Sequence, residues 1–155
     1  MKRAVLLIII VAFSSVSLQA QSNRARMLES VAEVTANNMF LSWLSIQSLY
    51  ENVRRGECSP VQFKTVKESI SESIQASHSN LRDLETRFEL SNIDYEHIDK
   101  VEEIYINMDK SLDLLDKYFK SKKESDHERF FESYEEIYYK IKELYKIKNG
   151  EEIGR

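Results

Sequence analysis

Glycine, proline and cysteine are scarce in this chain, at 3, 1 and 1 of 155 residues. One cysteine excludes an internal disulfide scaffold, and so little glycine and proline excludes collagen-like and Gly/Pro-rich low-complexity chains. Their positions say more than their number. Gly56 and Pro60 lie close together, and Gly150 and Gly154 fall at the end, so residues 61–149 contain neither type. A β protein needs turn residues about every ten positions, whereas helices joined by a few polar loops do not. The class expected is all-α, and the length suits a single domain.

Signatures of chemistry are also missing. No Cys-x-x-Cys or Cys-x-x-Cys-His exists to bind zinc or attach haem covalently. There is no Gly-rich strained turn of the kind that presents a nucleophilic serine. The 26 acidic residues create many chance carboxylate pairs on helices, so no single pair is informative. Cys58 is either a free thiol or a link to another chain, and its place between Glu57 and Ser59 predicts an exposed loop position.

A charged, then apolar, then small-residue order opens the chain: Lys2 and Arg3, an unbroken apolar run from Ala4 to Phe13, and Ser14 to Ala20. This is the layout of a secretory signal peptide. The run is shorter than the roughly 20 residues a permanent membrane helix needs. Cleavage after Ala20 is expected, with Ser17 as the alternative and an uncleaved anchor as a third outcome. Residues 1–20 are then the signal, and 21–155 an exported domain, periplasmic or extracellular, with no stable membrane insertion after cleavage. Losing Lys2 and Arg3 leaves 20 basic residues against 26 acidic ones. Such a chain repels nucleic acid unless its positive charge is segregated. The nearest approach to a basic patch is Lys117, Lys120, Lys122 and Lys123, which reads as a favourable helix C-terminus and a solvated loop.

Local signals divide residues 21–155 into four helices at about 22–55, 60–90, 94–121 and 126–148. Arg54 and Arg55 before Gly56 make a cationic last turn and a left-handed stop. Ser59-Pro60-Val61-Gln62 supplies an N-cap, a proline at the first helical position and a capping-box glutamine. Asp94 reads as the third start, with Ile93 and Ile98 as a hydrophobic staple, and Ser125 with Glu128 as the fourth capping box. Asn149-Gly150 reads as the close of the last helix.

Apolar spacing supports each helix. Ile98, Val101, Tyr105, Met108, Leu112, Leu115 and Phe119 alternate steps of three and four, the seam of a coiled-coil-like helix. Phe130, Tyr134, Ile137, Ile141 and Leu144 follow the same rule. Phe63, Val66, Ile70, Ile74, Ser77, Leu81, Leu84 and Phe88 do so with a local stutter. Short loops join antiparallel neighbours, so the architecture expected is an up-down-up-down antiparallel four-helix bundle.

Bundles often carry di-iron or haem, and both fail on position. Glu124 and His127 have Glu-x-x-His spacing, and Asp94 with His97 nearly does. His97 and His127 begin successive antiparallel helices, which places them at opposite ends, about 30 Å or more apart. His78 and His97 are offset by about 14 Å along the axis, beyond a shared metal. The histidines are expected at polar surface or cap-adjacent positions. Met27 suits one haem ligand, but no histidine stands near the end of the fourth helix. The expectation is a non-enzymatic protein with no cofactor and no metal.

Two features exceed a plain bundle. From Thr35 to Tyr50 the first helix carries no charge, although 31% of the chain is charged. Leu28, Ala32, Thr35, Met39, Trp43, Ile46, Tyr50 and Val53 form one stripe, expected to face the core. Val34, Phe40, Leu41 and Leu44, with Asn37 and Ser48, point away from it. They form either a contact surface for another copy or a partner protein, or the far side of a helix wedged between neighbours.

The second feature is the aromatic fourth helix, where Phe131, Tyr138 and Tyr145 flank the seam. With Trp43 they form either a ligand groove or ordinary edge packing. Ser42, Ser45, Ser48, Ser69, Ser71, Ser73 and Ser77 favour close helix approach, or line a slightly polar pocket. The preferred function is protein–protein contact in the cell envelope, through self-association or partner capture by the first helix. The alternative is a small-molecule carrier or ligand-sensing bundle with an aromatic and serine-lined pocket.

Overall fold

The computed structural model describes residue 26 and residues 30–148, with side chains to Leu144. The signal segment 1–20, Met27, Leu28, the side chain of Tyr145 and the Asn149-Gly150 close lie outside the described residues. The chain divides into two compact units, 1–37 and 38–155. All described secondary structure is helical: α1 (30–54), α2 (Pro60–Arg87), α3 (Asn92–Ser121) and α4 (Glu124–Lys148). No helix among the described residues is long and apolar enough to cross a membrane.

The caps explain where the helices stop. Gly56 ends α1 at φ 72°, with its N–H donating to the Val53 carbonyl and the Glu57 N–H donating to Asn52. These two bonds satisfy carbonyls the helix leaves unpaired, and the left-handed conformation favours glycine. At the start of α2, Gln62 N–H donates to Ser59 Oγ (3.3 Å) and Ser59 N–H donates to Gln62 Oε1 (3.0 Å).

Three boundaries differ from the sequence reading. α2 ends at Arg87, three residues early, because Phe88 adopts an extended backbone. α3 is capped by Ser91, whose amide is held by Asp94 Oδ2 at 2.9 Å, so Asp94 closes the box instead of capping. That puts Ile93 within the first turn, where it is exposed and forms no staple. α4 begins at Glu124, since Lys122 turns left-handed at φ 54° and ends α3 at once. Lys122, an exposed loop lysine as expected, lays its ammonium 4.4 Å from the centre of the Phe119 ring.

The core of the second unit runs from Met39 to Leu144 and draws on all four helices. α3 buries two adjoining rows, Val101, Tyr105, Met108, Leu112 and Leu115 beside Ile104 and Ser111. A helix with neighbours on two sides needs such breadth. It meets α2 through Lys67 with Asp113 (3.0 Å), Ser71 with Asp109 (3.2 Å) and His78 with Glu102 (3.2 Å). It meets α4 through Glu103 with Lys140 (2.7 Å) and Tyr118 with His127 (ring centres 5.1 Å). α1 meets α4 through Trp43 with Tyr138 (5.2 Å) and Tyr50 with Phe130 (4.9 Å). In every one of these pairings the residue number rises on one helix as it falls on the other.

Val66 departs from the expected seam and is exposed. At 100° per residue it sits about 60° to one side of Phe63, as Leu84 does, so both fall at the edge of the stripe. Cys58, expected in an exposed loop, is half-buried and packs against the core. Burial sets the stability expected of substitutions. Phe130→Ala, at a fully buried ring, is expected to cost about 3–5 kcal/mol in urea unfolding, and Val66→Ala less than about 1 kcal/mol.

Candidate functional site

α1 turns different chemistry in each direction. Toward the core it presents Met39, Trp43, Ile46, Tyr50 and Val53, and also Leu49, which the expected stripe omitted. Ala32 and Thr35 belong to the first unit and are half-buried. The remaining arc is uncharged yet open. Phe40, Leu41 and Leu44 are 37–59% exposed, and Ser48 is exposed too; Asn37, in the first unit, is by itself exposed. Val34, in the first unit, is 58% exposed.

One edge of this arc is aromatic. Trp43 lies between Tyr134 (5.1 Å, 12°) and Tyr138 (5.2 Å, 20°) of α4, and Phe40 leans on it at 5.8 Å. Tyr138 in turn meets Tyr139 at 5.9 Å. Burial, with the nearby Tyr138 second, pushes the Tyr134 phenol above its ordinary value, as expected of a dry contact. Trp43 Nε1 is buried with no hydrogen-bond partner among the described residues. Of the expected ligand groove, then, Trp43 and Tyr138 are brought together ring against ring. Phe131 stands apart from them, 6.5 Å from Tyr134 and 6.1 Å from His127.

The other edge of the arc is a groove. Asn38, Leu41, Ser42 and Ser45 of α1 face Ser69, Ile70 and Ser73 of α2 around an open cavity of about 220 Å³. At these serines the two helices do not close on one another, contrary to the close approach expected. Four of the seven lining residues are serines, whose short side chains fill little of the cavity. Ser45 turns its hydroxyl back to the Leu41 carbonyl at 2.8 Å, a bond available to serine within a helix. Among the described residues no charged side chain lines the cavity.

His127 takes the cap-adjacent position expected of it, in the first turn of α4. What the sequence did not show is that its ring is half-buried and stacks on Tyr50 at 5.7 Å. Nε2 lies 2.7 Å from the Tyr50 hydroxyl, and Nδ1 lies 3.1 Å from Glu124 Oε1. The signal available was the spacing of Glu124 and His127, one turn apart on α4. Its partner Tyr50 was unforeseeable without the register of α1. Among the described residues no group of three or more His, Cys, Asp or Glu side chains is arranged to hold a metal ion.

A polar seam joins α2 to α3. Burial, opposed by the hydrogen bond from Ser71, holds the Asp109 carboxyl above its ordinary range. Asp116 goes the other way: burial would raise it, but the hydrogen bond from Lys120 and the charge of Lys67 outweigh that and lower it. No protein-family model, curated protein or solved structure matches the chain.

The two carboxyls have opposite linkage to pH. A lowered folded value means that Asp116 stabilises the fold above the unfolded value of about 3.9, and that this is lost as pH falls. A raised value means that Asp109 binds its proton more tightly when folded, and so opposes folding once pH rises past it. Denaturant titrations at pH 3 and pH 7 test both signs. Asp116→Asn is expected to lose up to about 1 kcal/mol at pH 7 and little at pH 3. Asp109→Asn, which keeps an acceptor for Ser71, is expected to be no less stable than the parent at pH 7.

Proposed function

We propose that the chain is an exported, non-enzymatic protein of the cell envelope, periplasmic or extracellular, that acts by protein–protein contact through the outer arc of α1. In this reading residues 1–20 are a secretory signal. The four helices form an up-down-up-down antiparallel bundle, a topology supported by the opposed numbering of contacts between α1 and α4, α2 and α3, and α3 and α4. Phe40, Leu41 and Leu44 are the contact residues, and burial in a complex removes them from water.

One observation carries the proposal. Residues 35–50 have no charge in a chain that is 31% charged, and yet three large apolar side chains there remain 37–59% exposed. Single exposed apolar residues are ordinary on protein surfaces, but a contiguous uncharged arc marks a contact region. The small-molecule reading draws less support, because Trp43, Tyr134 and Tyr138 pack on one another. The serine groove is also smaller than the roughly 300–1,000 Å³ of most ligand pockets.

Leu41→Asp combined with Leu44→Asp is expected to leave helix content by circular dichroism unchanged, since both positions are exposed. It is expected to abolish association measured by light scattering or by co-purification from the native host. A parent protein that is strictly monomeric and retains nothing that the double variant loses contradicts the proposal.

A further inference from the structure

Resting on that reading, we infer that the partner of the α1 arc is a basic amphipathic helix of another protein. It lays its apolar side on Phe40, Leu44, Phe131 and Tyr138 and sets lysines or arginines against Glu128, Glu132 and Glu135 of α4. The open apolar surface does not end at the edge of α1. Phe40 and Tyr138 both lean on Trp43, at 5.8 and 5.2 Å, and Phe131 joins them through Tyr134 at 6.5 Å. Phe40, Phe131 and Tyr138 are 39–40% exposed and Leu44 is 37% exposed, so both helices keep apolar surface open around one buried indole.

What stands beside those rings selects the partner. Phe131 and Tyr138 are one heptad apart on α4, and so are Glu128 and Glu135. At 100° per residue the glutamates run about 60° further round the helix than the rings, with Glu132 beyond them. All three glutamates are exposed, and none forms an ion pair or hydrogen bond among the described residues. Nearby carboxylates are answered within the chain, Glu51 by Arg54 at 3.0 Å and Glu136 by Lys140 at 2.9 Å. Glutamates three and four residues apart on one helix repel each other. A row of them with no cation of its own destabilises α4, and a cationic partner relieves that repulsion.

The rings accept cations as well. Lys142 holds its ammonium 5.3 Å from the centre of the Tyr138 ring, the approach of a cation to an aromatic face. Lys142 also closes the acidic row at its C-terminal end, so the partner's cations belong over Glu128 to Glu135. Arg129 lies about 160° from Phe131, on the other flank of α4. Residues 35–50 of α1 add no charge of either sign. An acidic partner is repelled from this face, and a neutral one leaves the glutamates unmatched. Glu128 and Glu135 are about 10.5 Å apart along the axis, which two turns of a partner helix span with anchors at i, i+3, i+4 and i+7.

Three synthetic helices of about 18 residues test the inference against the purified protein. They share one leucine face and carry lysine, glutamine or glutamate on the other. By fluorescence anisotropy the lysine helix is expected to bind at least about tenfold tighter than the glutamine helix, and the glutamate helix not at all. Glu128→Gln, Glu132→Gln and Glu135→Gln together are expected to weaken the lysine helix about tenfold and flatten its salt dependence, leaving the glutamine helix unchanged. Glu57→Gln, Glu72→Gln and Glu89→Gln, also at exposed positions, remove the same charge elsewhere and are expected to weaken it less than about twofold. Phe131→Ser is expected to weaken the lysine and glutamine helices alike, with helix content unchanged. Equal binding of those two helices, or equal loss in the two triple variants, overturns the inference. If no helix binds while Leu41→Asp with Leu44→Asp still sheds a host protein, the basic partner is overturned and the contact face stands. A parent that neither associates nor retains a host protein removes both.

Discussion

The stacking of Trp43 between Tyr134 and Tyr138 sets how α1 is rotated about its own axis. With the indole clamped on α4, Met39, Ile46, Tyr50 and Val53 turn inward, and Leu41, about 160° from Trp43 around the helix, must turn out. The contact runs on burial and ring geometry. Each aromatic pair contributes about 0.5–1.5 kcal/mol beyond its area, while the unpartnered indole N–H costs about 1–3 kcal/mol. Two stacked pairs and the area of three large rings outweigh that cost. Tyr50 repeats the arrangement two turns further on, held by Phe130 and His127.

The ion pairs serve register more than stability. Lys67 with Asp113 and Asp116, and Lys140 with Glu103 and Glu136, sit at or near the surface, where such pairs contribute little. A shift of one turn between α2 and α3 would separate Lys67 from both carboxylates and Ser71 from Asp109. His78 Nε2 and Glu102 Oε1 approach to 3.2 Å without hydrogen-bond alignment. With Asp109 also partly buried, the α2–α3 seam is a polar strip whose alignment is specified at some cost in desolvation.

Helix number and the main seams were legible because they depend on periodicity and caps, which are local. Ser59 with Gln62, and Gly56, declared themselves in the sequence. The start of α3 did not, because Ser91 and Asp94 are both competent caps and only the backbone decides between them. The open arc of α1 was legible as missing charge beside Phe40, Leu41 and Leu44. The groove was not: serines on two helices permit close packing and a gap alike, and the spacing of α1 from α2 decides which. The surroundings of His127 were hidden for a similar reason, since they come from Tyr50 and Tyr118 on two other helices.

Trp43 is the sole tryptophan in the chain, so its fluorescence reports directly on the contact that orients α1. Acrylamide quenching of Trp43, measured in the parent and in the Leu41→Asp, Leu44→Asp protein, is the most direct test. Weak quenching and short-wavelength emission in both are predicted, because the ring is covered by its own chain and not by a partner. Free quenching with water-like emission in either protein would mean that the indole is not clamped on α4, and the assignment of inner and outer faces to α1 would be contradicted.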